Sequence, residues 1–276
     1  MSRYEDLSVT KLRVSEIVNQ STSGATRGPN PWSGMWSNCF STHYGDPSVI
    51  WTYMEDFIDF PLDANNEPTI GWTWSEDATA DVTLVTGTTG GIISMTTDAA
   101  DANHACGMQI GTGTAGTVIE YVKDSGKESW VEFRIAASQH TNTFNMFVGL
   151  ASENANADNF INDAGDDFAD IDVLGFVIWE ADGADVDIVH QLGGTEFATI
   201  ADAAENASDF HRYGMYFDGE ETITFYVDGT ANATTLDLDA TSFPIDEELS
   251  PIIYLKNQTT SAIACQIDYI KMVCER

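Results

Sequence analysis

The stretch "FHRYGMYFDGEETITFYVDGT", Phe210 to Thr230, sets the pattern that most constrains this chain. Asp218-Gly219 and Asp228-Gly229 are turn dipeptides whose glycines supply the positive φ of a tight turn. Between them Ile223, Phe225 and Val227 alternate with Thr222, Thr224 and Tyr226, so one face of an extended segment enters a core and the other faces outward. Segments of this kind recur from Val49 onward: "VIWTYMEDFIDF", "TIGWTW", "DVTLVTG", "GIISMTT", "TVIEYV", "SWVEFRIAAS", "TFNMFVGLAS", "VLGFVIWEAD" and others through "ACQIDYIKMVCE". About a dozen short strands separated by Asp, Asn, Gly and Thr clusters, with no amphipathic helix beyond two turns, predict an all-β sandwich or barrel rather than βαβ units. No fixed-period repeat marks a solenoid or propeller.

The first 48 residues differ. "STSGATRGPNPWSG" is too rich in Ser, Gly and Pro for a long helix or strand, and "WSGMWSNCFSTHYGDP" crowds Trp32, Trp36, Phe40 and Tyr44 among turn formers. Residues 1–48 are therefore expected to form an N-terminal arm, and residues 49–276 a sandwich. Charge divides along the same line. The whole chain carries −33, while residues 1–30 hold Arg3, Lys11, Arg13 and Arg27 against Glu5, Asp6 and Glu16, leaving −34 for the rest. A body this acidic repels phosphates, which argues against nucleic-acid partners. No run approaches the ~18 apolar residues of a membrane helix, so no membrane partner is expected. The N-terminus lacks the apolar core of a secretory signal, which points to folding in a cytoplasm with Cys39, Cys106, Cys265 and Cys274 as free, mostly buried thiols.

The order of signals resembles the concanavalin A-like, laminin-G-type jelly roll. "EDFIDFPLD…GWTW" resembles its opening strand, "WVEFRIAAS…FNMFVGLAS" its central pair, and "ACQIDYIKMVCER" the closing strand that pairs with the opening one. More narrowly, Gly149-Leu150-Ala151 through Asp163-Ala164-Gly165-Asp166-Asp167 to Leu174-Gly175-Phe176 is similar to structural proteins of tailed marine bacteriophages. That resemblance implies a capsid decoration or cement protein that is not an enzyme. It would bind the major capsid protein as a homotrimer on the outer surface of a virion assembled in the host cytoplasm. The alternative is a lectin-like, glycan-binding adhesion module, with Trp72, Trp74, Trp130 and Trp179 as candidate sugar platforms.

Chemistry-bearing motifs are sparse. Family 16 glycoside hydrolases of this fold carry E-x-D-x-x-E on one strand, and Glu180-Ala-Asp182-Gly-Ala-Asp185 is the nearest approach. It departs at the Asp182-Gly183 turn signal and at the shorter final side chain. The five histidines are isolated, and no phosphate loop or nucleophile elbow occurs. Calcium is the expected cofactor if there is one. Asp163, Asp166, Asp167 and Asp170 are its candidate ligands, in a loop that also holds Asp158 and Asp172, because calcium takes six to eight oxygens.

Overall fold

The computed structural model describes residues 35, 36, 39, 50–69, 71–77, 79–86, 91–111, 119–137, 144–153, 155, 156, 159–179, 185–194, 198–205 and 209–276. Among them sixteen strands and no α-helix are found. In chain order these are β1 (Ile50–Glu55), β2 (Trp72–Glu76), β3 (Asp81–Leu84), β4 (Ile93–Thr96), β5 (Ala105–Ile110), β6 (Ile119–Glu120), β7 (Ser129–Ala137) and β8 (Phe144–Ser152). There follow β9 (Val173–Ile178), β10 (Asp185–Gln191), β11 (Ala198–Glu205), β12 (His211–Phe217), β13 (Thr222–Val227), β14 (Thr230–Asp237), β15 (Glu248–Asn257) and β16 (Ala264–Glu275).

They form two antiparallel sheets packed face to face, the jelly-roll sandwich expected. The front sheet runs β14-β13-β12-β7-β16-β4-β3, with β1 also on β16; the back sheet runs β11-β10-β9-β8-β15-β5-β2, with β6 on β15. The closing strand pairs with Ile50–Glu55, Ile50 opposite Glu275 through Glu55 opposite Ile270, whereas Trp72–Glu76 of the expected opening stretch pairs with β5 in the back sheet. The central pair divides between the layers, β7 in the front sheet and β8 in the back.

Period 2 explains the main core. Val131, Phe133 and Ile135 from the front sheet meet Met146, Val148 and Leu150 from the back sheet in one buried cluster. Each such side chain contributes about 1.5–3 kcal/mol by leaving water. The outward face of the back sheet is apolar as well, which alternation alone does not predict. On the back sheet, Phe147, Val177, Val189 and Tyr254 form a second cluster with Phe160, Ile161 and Phe168 from the connection before β9. Phe147 lies 5.2 Å from Phe160 and 5.3 Å from Phe168, ring centre to ring centre. Gly149 and Gly175 stand directly opposite each other beneath it. A β-carbon on Gly149 would come within 2.9 Å of the Phe147 ring and 2.7 Å of Gly175 Cα. The two glycines of the "GLA…LGF" motif thus let the strands and the ring close up.

Two strand expectations are corrected. The first strand stops at Glu55 rather than continuing through Phe60, because Phe57 takes φ 54°. Its buried ring packs 5.0 Å from Phe60, and its N–H donates to Glu55 Oε1 at 2.9 Å. The backbone of Gly91 presses on the same peptide: a β-carbon there would lie 1.9 Å from the Phe57 carbonyl carbon. The strand Ala105–Ile110 was not expected, since nearly all its residues are buried and no alternation survives.

Gly91→Ala should therefore cost about 1–3 kcal/mol through overpacking against backbone that cannot yield, read as a lower urea midpoint. A second outcome concerns His190, buried on β10, whose pKa burial holds below the ordinary 6.5 against a weaker opposing hydrogen bond with Ser242. The unfolded chain takes up that proton first, so stability is lost as pH falls below about 6.5. The stability gap between wild type and His190→Gln should narrow between about pH 8 and about pH 5, measured by denaturant unfolding.

Candidate functional site

The outer face of the front sheet carries the most organised group of polar and aromatic side chains. Its register builds three rows across the strands. Val273, Trp130, Tyr216 and Thr224 form the first; Lys271, Glu132, Gly214 and Tyr226 the second. Tyr269, Arg134 and Arg212 form the third, with Asp228 bonded backbone to backbone beside Arg212 at 2.8 Å.

Residues of the expected arm cover the first two rows. Met35, Trp36 and Cys39 are buried in a cluster with Ile50, Trp130 and Val273, flanked by Tyr216 and Tyr226. Gly214 provides the seat: a β-carbon there would lie 2.8 Å from Met35 Sδ. The Lys271 ammonium stands 3.8 Å from the Trp36 ring centre, a cation–π contact. Burial holds the Lys271 pKa down, opposed by the Glu132 charge. Burial also pushes the Cys39 thiol up to about 11, so it is protonated and unreactive at neutral pH. Beneath the arm Glu132 accepts a hydrogen bond from the Tyr269 hydroxyl at 2.6 Å. The rest of residues 1–48 lies outside the described residues.

At the edge of the first row Glu128 Oε1 accepts a hydrogen bond from the Tyr216 hydroxyl, and Glu275 Oε2 accepts one from the Glu128 N–H at 3.0 Å. Burial, reinforced by the Glu275 charge, raises the Glu128 pKa. Both line a concavity of about 260 Å³ with Lys127 and Phe217.

The candidate calcium ligands are placed on the opposite side, in the cover of the back sheet. Asp163 Oδ1 accepts a hydrogen bond at 2.7 Å from Lys256, a fully buried lysine of β15 that also donates to Ile161 O at 2.8 Å. Asp166 accepts from Asn162 at 2.9 Å, and Asp167 caps the Phe168 N–H at 2.9 Å. Asp170 packs against Gly194, where a β-carbon would lie 2.5 Å from its Cα. Among the described residues, the group whose carboxylate oxygens gather within 4.8 Å is instead Glu221, Asp237 and Asp239, all exposed. Lys123 sits among them, 3.3 Å from Glu221 and bonded to Asp239.

The sugar-platform and glycosidase candidates fare as follows. Trp72, Trp130 and Trp179 are buried and present no free face, while Trp74 is half-buried. Glu180 and Asp182 lie outside the described residues; β9 ends at Ile178 and β10 begins at Asp185, so the three positions do not share a described strand. Among the described residues no helix is long and apolar enough to cross a membrane.

No protein-family model matches the chain, and no curated protein matches it. Solved structures do. A Shewanella oneidensis protein of unknown function is 14% identical, with a TM-score of 0.53 over 83% of this chain and 87% of that one. A family 16 glycoside hydrolase from Bacteroides ovatus, solved with a mixed-linkage glucan product, is 12% identical, with a TM-score of 0.52 over 80% and 99%. An endo-1,3-β-glucanase from Streptomyces sioyaensis is 13% identical, with a TM-score of 0.50 over 83% and 97%. The fold that the chain shares with these neighbours is the jelly-roll sandwich, on which family 16 glycoside hydrolases are also built. The expectation that the chain is not an enzyme is corrected by these neighbours: its sandwich is one on which glucanases are built. At such identity the likeness concerns the fold and not an activity.

Gly214→Val keeps a good strand former but fills the Met35 seat. It should speed proteolytic cleavage between residues 35 and 50 several-fold, followed by limited proteolysis and mass spectrometry, and lower the unfolding midpoint because Trp130 and Val273 lose their cover.

Proposed function

We propose that this chain is a virion structural protein that decorates or cements a phage capsid. In this reading residues 1–34 dock on the major capsid protein and the acidic sandwich projects into solvent. The observation that supports it is the fastening of Met35, Trp36 and Cys39, which directly follow a near-neutral stretch of sequence, to the front sheet of a strongly acidic body. Weak arm contacts repeated over a lattice would stabilise the shell by linkage, because a partner that binds only the assembled state favours that state. A homotrimer suits a threefold lattice position, and the like charge of its subunits makes the assembly dependent on salt.

The reading is tested by co-sedimentation with assembled capsids, using the full chain and a chain lacking residues 1–34. That truncation keeps the Met35–Cys39 anchor in place. Capsid association should be lost with the truncation while the sandwich still folds. Undiminished association would remove the arm from the docking role, and a monomer at every salt concentration in light scattering would remove the trimer.

A further inference from the structure

Positive charge is scarce in the body: seven Lys and Arg residues follow Arg27. Lys256 is buried against Asp163, Lys123 is held by Glu221 and Asp239, and Lys271 lies under Trp36. Yet Arg134 and Arg212 occupy directly opposite positions on β7 and β12. Their neighbours Phe133, Ile135 and Tyr213 enter the core, so both arginines point to the outer face, just beyond the part covered by Met35 and Trp36. Opposed side chains on such a pair start about 4.5–5.5 Å apart, and like charges there are unfavourable.

One of the two charges has a carboxylate partner. Arg134 pairs with Asp268. Arg212 Nη2 donates to the Asp228 carbonyl oxygen at 2.8 Å, while the Asp228 carboxylate is engaged by His211 Nδ1 at 2.7 Å and by the Arg212 backbone N–H at 3.0 Å. Among the described residues no carboxylate forms an ion pair with the Arg212 guanidinium. Aromatic rings border the pair: Phe210 lies 4.5 Å beneath the Arg134 guanidinium, and Tyr269 is next to Arg134 in the row. Both rings are half-buried.

We propose that Arg134, whose guanidinium is backed by the Phe210 ring, and Arg212 bind an oxyanion carried by a sugar, a uronate carboxylate or a sulfate ester, with the sugar ring resting beside Tyr269. Two guanidinium forks suit a planar or tetrahedral oxyanion, each able to bind it through two N–H groups. An aromatic face next to them suits the apolar side of a sugar ring. The body charge selects for a sparsely charged ligand: a dense polyanion or an acidic protein segment meets the field of the whole molecule. A lone oxyanion feels chiefly the charges within a Debye length of ~8 Å. This site is independent of the capsid-docking reading and stands or falls without it.

The test is calorimetric titration of the full chain with digalacturonic acid, its dimethyl ester, inorganic sulfate and a glutamate-rich peptide. Wild type should bind the diacid and sulfate, and neither the ester nor the peptide. Arg134→Gln/Arg212→Gln should weaken binding of the diacid about tenfold or more, the usual scale for losing charge-assisted hydrogen bonds, while Lys123→Gln binds as wild type does. Should the double variant misfold, Arg212→Lys carries the test, because it keeps the charge and loses the fork; its affinity should fall, by less. Equal binding of the ester, wild-type affinity in Arg212→Lys or the double variant, or binding of the peptide without the diacid would overturn the proposal. Sulfate binding with no sugar acid bound would overturn the sugar assignment.

Discussion

Each sheet of this sandwich carries an apolar patch on its outer face as well as a core on its inner one, and the rest of the molecule is arranged to meet that constraint. A two-sheet sandwich ordinarily leaves its outer faces wet. Here the back sheet turns Phe147 and Tyr254 outward and the front sheet turns Trp130 and Val273 outward, so each requires a cover. The back cover is the connection that carries Phe160 and Phe168, held down where Lys256 reaches Ile161 and Asp163. The front cover is Met35, Trp36 and Cys39, held where Lys271 meets the Trp36 ring. In both cases a lysine of the sheet, rather than a further apolar residue, ties the cover to it. Glycines make the covers fit: Gly149 and Gly175 under Phe147, Gly214 under Met35.

The covers decide which part of the surface is left for recognition. Among the described residues the front cover overlies the first two rows, and Arg134, Arg212 and Tyr269 form the third. The acidity of the body makes that third row chemically distinct. With 44 acids in the chain, two adjacent arginines, one paired with Asp268, set a pair of guanidinium groups on an otherwise acidic surface.

Much of the architecture was legible in the sequence, because period 2 and Asp-Gly turns act locally. β12 to β14 follow directly from "FHRYGMYFDGEETITFYVDGT": Asp218 accepts the N–H groups of Glu220, Glu221 and Thr222, and Asp228 closes the next turn at φ 51°. β5 was not legible, since a strand buried on both faces loses its alternation and "ACGMQI" offers one β-branched residue. The acidic run before β9 was visible, but its composition suggested an ion site. Its actual partner for Asp163 is a lysine 93 residues further on, which only the tertiary fold brings near. The opposition of Arg134 and Arg212 was hidden for the same reason: each looks like an ordinary outward strand residue until the register of β7 against β12 is known. The glucanase-like architecture shows the converse limit. The fold was recognisable, and the inference from a phage-protein resemblance to the absence of catalysis was not warranted, because the same fold hosts many functions.

The claim on which the account most depends is that Met35 is seated on Gly214 of the front sheet. Methyl-labelled methionine in the full chain would show it directly by nuclear Overhauser spectroscopy. The account predicts that the Met35 methyl gives cross-peaks to the Gly214 α-protons and a shift displaced by the neighbouring Trp36 and Tyr226 rings. A narrow Met35 resonance at the shift of an unstructured chain, with no cross-peak to Gly214, would contradict it.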